Sequence, residues 1–399
     1  MYTTKQQKPL SALVLKTLPL VAVLATCFSA HAAESFKLRQ SPVASFGGDI
    51  ATPADNPGFF GTASFTDLTI NGIRGADGST PLSVRSKLQG TALSAAGLVP
   101  SGNALAAVTA TVPNGTLLLV QDQKQLNLAG GYLTESTYAD GRVAFVANVP
   151  FVSQKRKAVI SYPDPSYSAH PGLSLNYPGT SIPNSTMLSA GLQNVYKDAS
   201  DKASGEAAGI GDTELSAVWV RHSSRLKVAA GVSLFVPTGK YDVARDAALQ
   251  ANPGFGNFYT IRPGVAFTYN LNPNYSHQDW DAGVTVAGRI AYGINTENKD
   301  SKYKSGNYIY TEAAIVKVMG DTAFGLNLFS TQQVTDDRYS GTDPSKEING
   351  RYKTLGGGPF FSYKFPGQDM GINFQVNHNF AGRNAIDVTS YQLRLIKAF

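Results

Sequence analysis

A period of two in hydrophobicity, held for ten or more residues at a time, limits this chain to very few folds. Leu226, Val228, Ala230, Val232, Leu234 and Val236 alternate with Lys227, Ala229, Gly231, Ser233 and Phe235. Ile261, Val265, Phe267, Tyr269 and Leu271 alternate with Arg262, Gly264, Ala266, Thr268 and Asn270. Val284, Val286, Ile290 and Tyr292 stand against Thr285, Ala287, Arg289 and Ala291. Met370, Ile372, Phe374, Val376 and Phe380 stand against Asn373, Gln375, Asn377 and Asn379. Successive strand side chains point to opposite faces, so each run is a strand with one apolar face. Strands of soluble sheets average about five to six residues. These runs are nearer the roughly 9–11 tilted residues that cross a bilayer.

A soluble sandwich would share the alternation, so the connections and the C-terminus have to decide. Tyr391, Leu393, Leu395 and Phe399 share one parity, and Phe399 is the last residue. A terminal aromatic on an amphipathic strand resembles the signal read by the outer-membrane assembly machinery, although Lys397 departs from that pattern. If Phe399 ends in the periplasm, the inner turns are short: His222 to Arg225, Asn272 to Gln278, Gly320-Asp321, and Pro366 to Asp369. The outer loops are then mostly long and polar: Pro237 to Asn257, Asn295 to Ser305, and Val334 to Arg351, with Gly382 to Ile386 as a short one. Short inner turns and long outer loops are the rule for transmembrane barrels.

The sequence therefore predicts an all-β, transmembrane, antiparallel up-and-down barrel of about 12 strands, with 10 to 14 allowed by the N-terminal third. The expected strands are Gly61–Ile70, Gln125–Glu135, Arg142–Val152, Thr213–Arg221, Leu226–Val236, Phe258–Leu271, Asp279–Gly293, Asn307–Met319, Thr322–Gln333, Tyr352–Phe365, Met370–Ala381 and Asp387–Phe399. Inserts fall at 71–124 and 153–212. Ser83 to Gly97 reads as a short helix, and Ala104 to Val120 as an extra hairpin around Pro113-Asn114-Gly115. Ser153 to Gly211, rich in Ser, Pro, Asn and Tyr, reads as a long outer loop, a candidate lid.

Residues 1–32 read as a secretory signal: Lys5, Lys8 and Lys16, then an apolar core from Leu18 to Phe28, then Ala30-His31-Ala32 as an A-x-A cleavage site. Leu24-Ala25-Thr26-Cys27 resembles a lipoprotein box, but Thr26 stands where that box takes Gly, Ala or Ser. With the mature chain starting at Ala33, residues 33–60 form an N-terminal segment, a candidate plug, and 61–399 the barrel. Cleavage removes the single cysteine, and with it disulfides, thiol nucleophiles and thiolate metal sites. It also removes three of 34 basic residues, leaving 31 against 28 acidic ones, a net +3. That charge is too mild to argue for nucleic acid. Charged residues are only 16% of the chain, while Gly (39) and Tyr plus Phe (19 and 20) are plentiful, as strands between lipid and water require.

Several segments carry a family resemblance. They are Gly209-Ile210-Gly211-Asp212-Thr213-Glu214-Leu215, Pro237-Thr238-Gly239-Lys240-Tyr241-Asp242, Asn252-Pro253-Gly254-Phe255-Gly256, Ile261-Arg262-Pro263 with Thr268-Tyr269, and Gln333 with Asp336 or Asp337. Their order resembles the outer-membrane family of meta-pathway phenol degradation proteins, over roughly Gly209 to Phe399. The resemblance implies a barrel associated with aromatic catabolism and presumed to be an uptake channel.

The functional expectation is an outer-membrane channel for diffusive uptake of small hydrophobic or aromatic compounds. The alternative is a non-transporting structural or ligand-binding barrel. The expected partners are outer-membrane lipid and lipopolysaccharide, the assembly machinery at Phe399, and the solute, with no nucleic acid, cofactor or metal. No Gly-x-Ser-x-Gly elbow or His-Glu-x-x-His helix is present. His170, His222, His277 and His378 survive cleavage, and His222-Ser223-Ser224 matches a lipid A deacylase pair only on what should be a periplasmic turn. The enzyme expectation is therefore negative.

The lumen and solute-path candidates are Lys227, Arg262, Arg289, Glu312, Asn327, Gln333, Phe360, Gln375 and Arg394, with Arg142 and Asn373 beside them. Lumen arginines can attract anions and narrow a pore. They can equally pair with inward acids such as Glu312, whose strand parity is ambiguous. Phe235, Phe329 and Phe360 could line an apolar route or simply pack. Tyr241, Phe255, Phe258, Tyr259, Trp280 and Tyr292 read as an interfacial girdle.

Overall fold

The computed structural model describes residues 33–34, 38–39, 57–84, 86, 88–94, 107–168, 184–247, 249–272, 283–342 and 350–399. Residues 1–32, expected to be a secretory signal, lie outside the described residues, as do His170, His277 and Trp280. Twelve strands form the wall: β1 Gly58–Arg74, β2 Gly115–Tyr138, β3 Gly141–Ser161, β4 Thr213–His222, β5 Leu226–Val236, β6 Thr260–Asn270, β7 Gly283–Asn295, β8 Tyr308–Met319, β9 Thr322–Gln333, β10 Lys353–Lys364, β11 Met370–Arg383 and β12 Ala385–Ala398. Each pairs antiparallel with the next, and β1 closes on β12 from Phe60↔Ala398 to Arg74↔Ala385. Closure gives every wall strand two partners, the condition for taking strands into hydrocarbon.

The outward parity carries the apolar residues. Phe145, Val265 and Leu326 are each more than half exposed (56%, 52% and 59%). A continuous belt of such side chains fits lipid, not water. The chain is thus an outer-membrane barrel. One end has short turns, including Ala139-Asp140, both at positive φ as a tight hairpin turn requires, and Gly320-Asp321. Phe399 lies at this periplasmic end, its N–H donating to the Phe59 carbonyl.

The N-terminal third differs from expectation at three places. Among the described residues of Ser83 to Gly97 there are strands in place of the expected helix, Leu82–Val84 and Gln89–Ala92. Among the described residues of Ala104 to Val120 the expected hairpin is replaced: Thr109–Thr111 pairs with Gln89–Ala92, and Gly115 already begins β2. Ser153 to Gly211 is not one long loop. β3 continues to Ser161, helix α1 spans Asn184–Lys202, and Gly205–Ile210 pairs with β3 from Phe151↔Ile210 to Arg156↔Gly205.

The physical reason is that the β2–β3 hairpin is long enough to project past the lipid. Its outward residues there, such as Lys155 and Lys157, meet water, so the apolar–polar alternation disappears from the sequence. Helix α1 shows its apolar stripe at Leu192, Val195, Tyr196 and Ala199. That stripe is buried against inward residues of the hairpin, Leu117, Leu119, Ala158 and Ile160, and against Ile70, Ile73 and Val388. The result is a small apolar core at the outer end of the barrel.

Inside the wall, aromatic rings lie over glycines directly opposite on the next strand. The pairs are Phe60 on Gly131, Tyr308 on Gly293, Phe360 on Gly325 and Phe329 on Gly356. A Cβ at any of these glycines would sit 2.2–2.3 Å from the ring. Missing side chains thus give the rings room to lie flat in a narrow lumen.

Candidate functional site: the lumen and its outer mouth

Lumen geometry follows from strand parity. On β2, Gln121, Gln123, Gln125 and Asn127 share the inward face and form an unbroken amide ladder. Gln121 Nε2 donates to Gln123 Oε1 (3.0 Å), Gln123 Nε2 to Gln125 Oε1 (2.9 Å) and Gln125 Nε2 to Asn127 Oδ1 (2.8 Å). Arg156 Nε donates to Gln121 Oε1 (2.7 Å), which fixes the direction of every amide in the row. On the neighbouring strands β1, β12 and β11 the polar row continues: Gln375 and Arg394 both donate to Gln392 Oε1, and Gln392 Nε2 donates to Thr66 Oγ1 (3.0 Å).

Facing these polar rows lies a cavity of about 220 Å³. Its apolar lining includes Leu38, Leu68, Leu119, Phe235 and Phe329. The cavity is bounded outward by Ile70, Leu249 and Val388 of the core under α1.

Two of the lumen arginines are matched by carboxylates. Arg262 Nη2 lies 2.8 Å from Glu214 Oε1 and stacks over the Phe235 ring at 4.7 Å. Arg289 pairs with Glu312 at 3.1 Å and lies over the Tyr310 ring at 5.0 Å. Tyr310 also donates its hydroxyl to Glu312 Oε1. Buried ions held this way exchange hydration for fixed partners.

The outer mouth is organised by Asp212. Its Oδ1 accepts the Gly239 N–H (3.1 Å), and its Oδ2 accepts the Phe255 N–H (3.0 Å) and Arg39 Nε (2.9 Å). Gly239 and Gly254 pack backbone to backbone, where a Cβ on either would meet the other within 3 Å. Three sequence segments that are far apart, Gly211-Asp212, Pro237-Thr238-Gly239 and Asn252-Pro253-Gly254, therefore meet at one carboxylate. Arg39 sits on that junction. It also donates to the Gly256 carbonyl (2.8 Å) and the Phe258 carbonyl, with its guanidinium 3.8 Å over the Phe258 ring.

These converging segments lie within residues 110–395, which match the model of a family described as "Putative MetA-pathway of phenol degradation". The chain belongs to this family. Among solved structures it is similar to an outer-membrane channel from Pseudomonas putida F1, at 15% identity and TM-score 0.56, covering 90% of this chain and 100% of that one. That likeness is one of fold. A weaker likeness, TM-score 0.42 at 9% identity, covers 86% of this chain and 100% of the β domain of the Bordetella autotransporter BrkA. Comparison with curated proteins returns no match.

In this family member all nine expected lumen residues have inward parity. Arg262, Glu312, Asn327, Gln333, Phe360, Gln375 and Arg394 are buried, and Lys227 and Arg289 are half-buried. Glu312 is inward because Tyr308, Tyr310 and Val316 of the same parity are buried. None of the nine borders the cavity; they line the wall around it. Phe235 and Phe329 do border it, whereas Phe360 packs with Val316, Val318 and Ala323.

The expected girdle is corrected at three positions. Phe255 lines the cavity, Phe258 is buried under Arg39, and Tyr241 accepts a hydrogen bond from Asn298 Nδ2 (3.2 Å). All three precede β6 in an outer loop, where strand parity no longer governs direction. The expected strand starts at Gln125 and so leaves out the outer half of the glutamine ladder, because β2 extends to Gly115. The signal was present, since Gln121, Gln123 and Gln125 already keep the period of two.

A second polar cluster crowns the mouth. Asp337 is buried in the loop after β9 and accepts hydrogen bonds from the Gly306 N–H (2.6 Å), Gln333 Nε2 (2.6 Å), the Tyr303 hydroxyl and the Ala33 nitrogen (2.8 Å). Burial pushes the Asp337 carboxyl above the usual carboxylate range, even though its donors pull the other way. The Tyr303 phenol is pushed up for the same first reason, burial, and then by the adjacent carboxylate.

Proposed function

We propose that this barrel is an outer-membrane channel for diffusive uptake of small hydrophobic or aromatic compounds, and that its role is passage, not catalysis. The carrying observation is the lumen cavity of about 220 Å³, lined by aromatic and aliphatic side chains together with an amide ladder. Apolar cavities of roughly 150 Å³ are known to admit benzene. This one has room for a single ring, with the ladder available to a hydroxyl or carbonyl substituent. The likeness in fold to the Pseudomonas channel and the family membership point the same way.

In this reading the N-terminal segment is a plug, and Glu214 and Glu312 offset the charge of Arg262 and Arg289, so that uncharged solutes meet ion pairs there rather than bare cations. Phe399 is the handle for the assembly machinery, and lipid and lipopolysaccharide surround the wall. The test is flux of phenol and of a neutral sugar of similar mass into proteoliposomes, with uptake in a deletion strain and its complement. Faster phenol entry that depends on the protein supports the channel. Equal phenol uptake by deletion and complemented strains, with no flux in liposomes, favours a non-transporting barrel.

A further inference from the structure

The Asp337 cluster has a chemical peculiarity that the channel reading does not use. The carboxylate is almost fully buried, yet each of its four donors is a neutral group. A buried carboxylate without a counter-charge is costly, and nature ordinarily supplies a cation. One of the four donors, however, is the backbone nitrogen of Ala33, the residue that follows the Ala30-His31-Ala32 cleavage motif. Hydrolysis of the Ala32–Ala33 amide leaves a carboxylate on Ala32 and an amine on Ala33, which takes up a proton near neutral pH. That proton places a positive charge on the atom already 2.8 Å from Asp337 Oδ2.

Two further observations fit a chain terminus at this point. Ala33 has φ +53°, a left-handed value that an internal alanine rarely adopts because its Cβ crowds the neighbouring peptide. A residue with no preceding carbonyl escapes much of that restriction. Ala33 is also completely buried, in a cluster with Leu38, Tyr308 and Phe329, and the next residue is anchored by Glu34 N–H to Ser305 Oγ (2.9 Å) and by Asn298 Nδ2 to Glu34 Oε2 (2.9 Å).

We propose that Asp337, with Tyr303, Gly306 and Gln333, is a receptor for a primary ammonium, and that its ligand is the α-ammonium of the mature chain. Signal cleavage then supplies the charge that latches the N-terminal segment to the outer loops, with Arg39 on Asp212 as a second anchor. Wall strand β1 begins at Gly58, at the opposite, periplasmic end, whereas the latch holds Ala33 at the mouth.

The test is amine labelling of the full mature protein, purified from outer membranes in detergent, with an acetyl N-hydroxysuccinimide ester at pH 7.5. Mass spectrometry of the N-terminal peptide reads both the terminus and its labelling rate. The expected result is a chain beginning at Ala33 whose α-amine labels at least tenfold more slowly than in the same protein unfolded in urea. Asp337→Asn should raise the rate toward the unfolded value while heat-modifiable mobility still shows a folded barrel. The wild-type comparison stands even where that variant does not fold. A mature chain that starts elsewhere, or an Ala33 amine that labels at the unfolded rate, overturns the proposal. Neither result bears on phenol flux, so failure here leaves the channel reading to its own test.

Discussion

Replacing Gly293 with alanine should dislodge the Tyr308 ring and, through it, the N-terminal segment. An added Cβ would lie 2.2 Å from Tyr308 Cε1 and Cζ and 2.7 Å from Cε2. Non-bonded carbons rest at roughly 3.5–4.0 Å, so the ring must retreat by about 1.5 Å. Tyr308 has no solvent exposure, and it is packed with Ala33, Leu38 and Phe329. Overpacking of this kind costs about 1–3 kcal/mol. The Tyr308 hydroxyl also donates to the Arg39 carbonyl, and losing that bond adds about 1 kcal/mol. Together the loss is about 2–4 kcal/mol. It can be measured by urea titration of the barrel refolded into lipid vesicles, with heat-modifiable mobility as the readout. Tyr308→Phe removes only the hydrogen bond and should cost about 1 kcal/mol. In a Tyr308→Ala background the Gly293→Ala penalty should largely vanish, giving a coupling of about 2–4 kcal/mol. An unchanged midpoint for Gly293→Ala, or the same penalty in both backgrounds, would refute the ring-over-glycine account.

Three other outcomes follow, two from the lumen and one from the C-terminus. Arg262→Met leaves Glu214 charged and nearly buried, so the barrel should lose about 3 kcal/mol. Planar-bilayer reversal potentials should then shift toward cation preference, and adding Glu214→Gln should restore both; an unshifted potential would mean that the pair lies off the ion path. Gln123→Leu removes both the acceptor for Gln121 and the donor to Gln125, and in proteoliposomes it should slow hydroxylated rings more than unsubstituted ones. Deleting Phe399, which is 78% exposed and packs little, should lower the outer-membrane level severalfold in cells while leaving refolding in vitro intact; equal levels would remove it as an assembly signal.

The sequence by itself determined the wall. Alternation along each strand is a local property, and a one-residue slip would turn every apolar side chain into the lumen. Strand limits from Leu226 to Val236 and from Thr322 to Gln333 could therefore be read to the residue, as could the inward direction of Arg262, Arg289 and Arg394. Where the hairpin β2–β3 leaves the lipid, the constraint that wrote the alternation ends. Its extension and helix α1 were illegible for that reason, since Leu192 and Tyr196 gain an apolar face to meet only when Leu119 and Ile160 are already in place. Tertiary structure alone decided which inward groups meet. Asp212 and Arg39 are 173 positions apart, and Ala33 and Asp337 are 304 apart. Parity gives a side chain its face but not its neighbour; the neighbour is set by strand register and barrel closure, which bring Tyr308 over Gly293 and chain segments far apart in sequence to a single carboxylate.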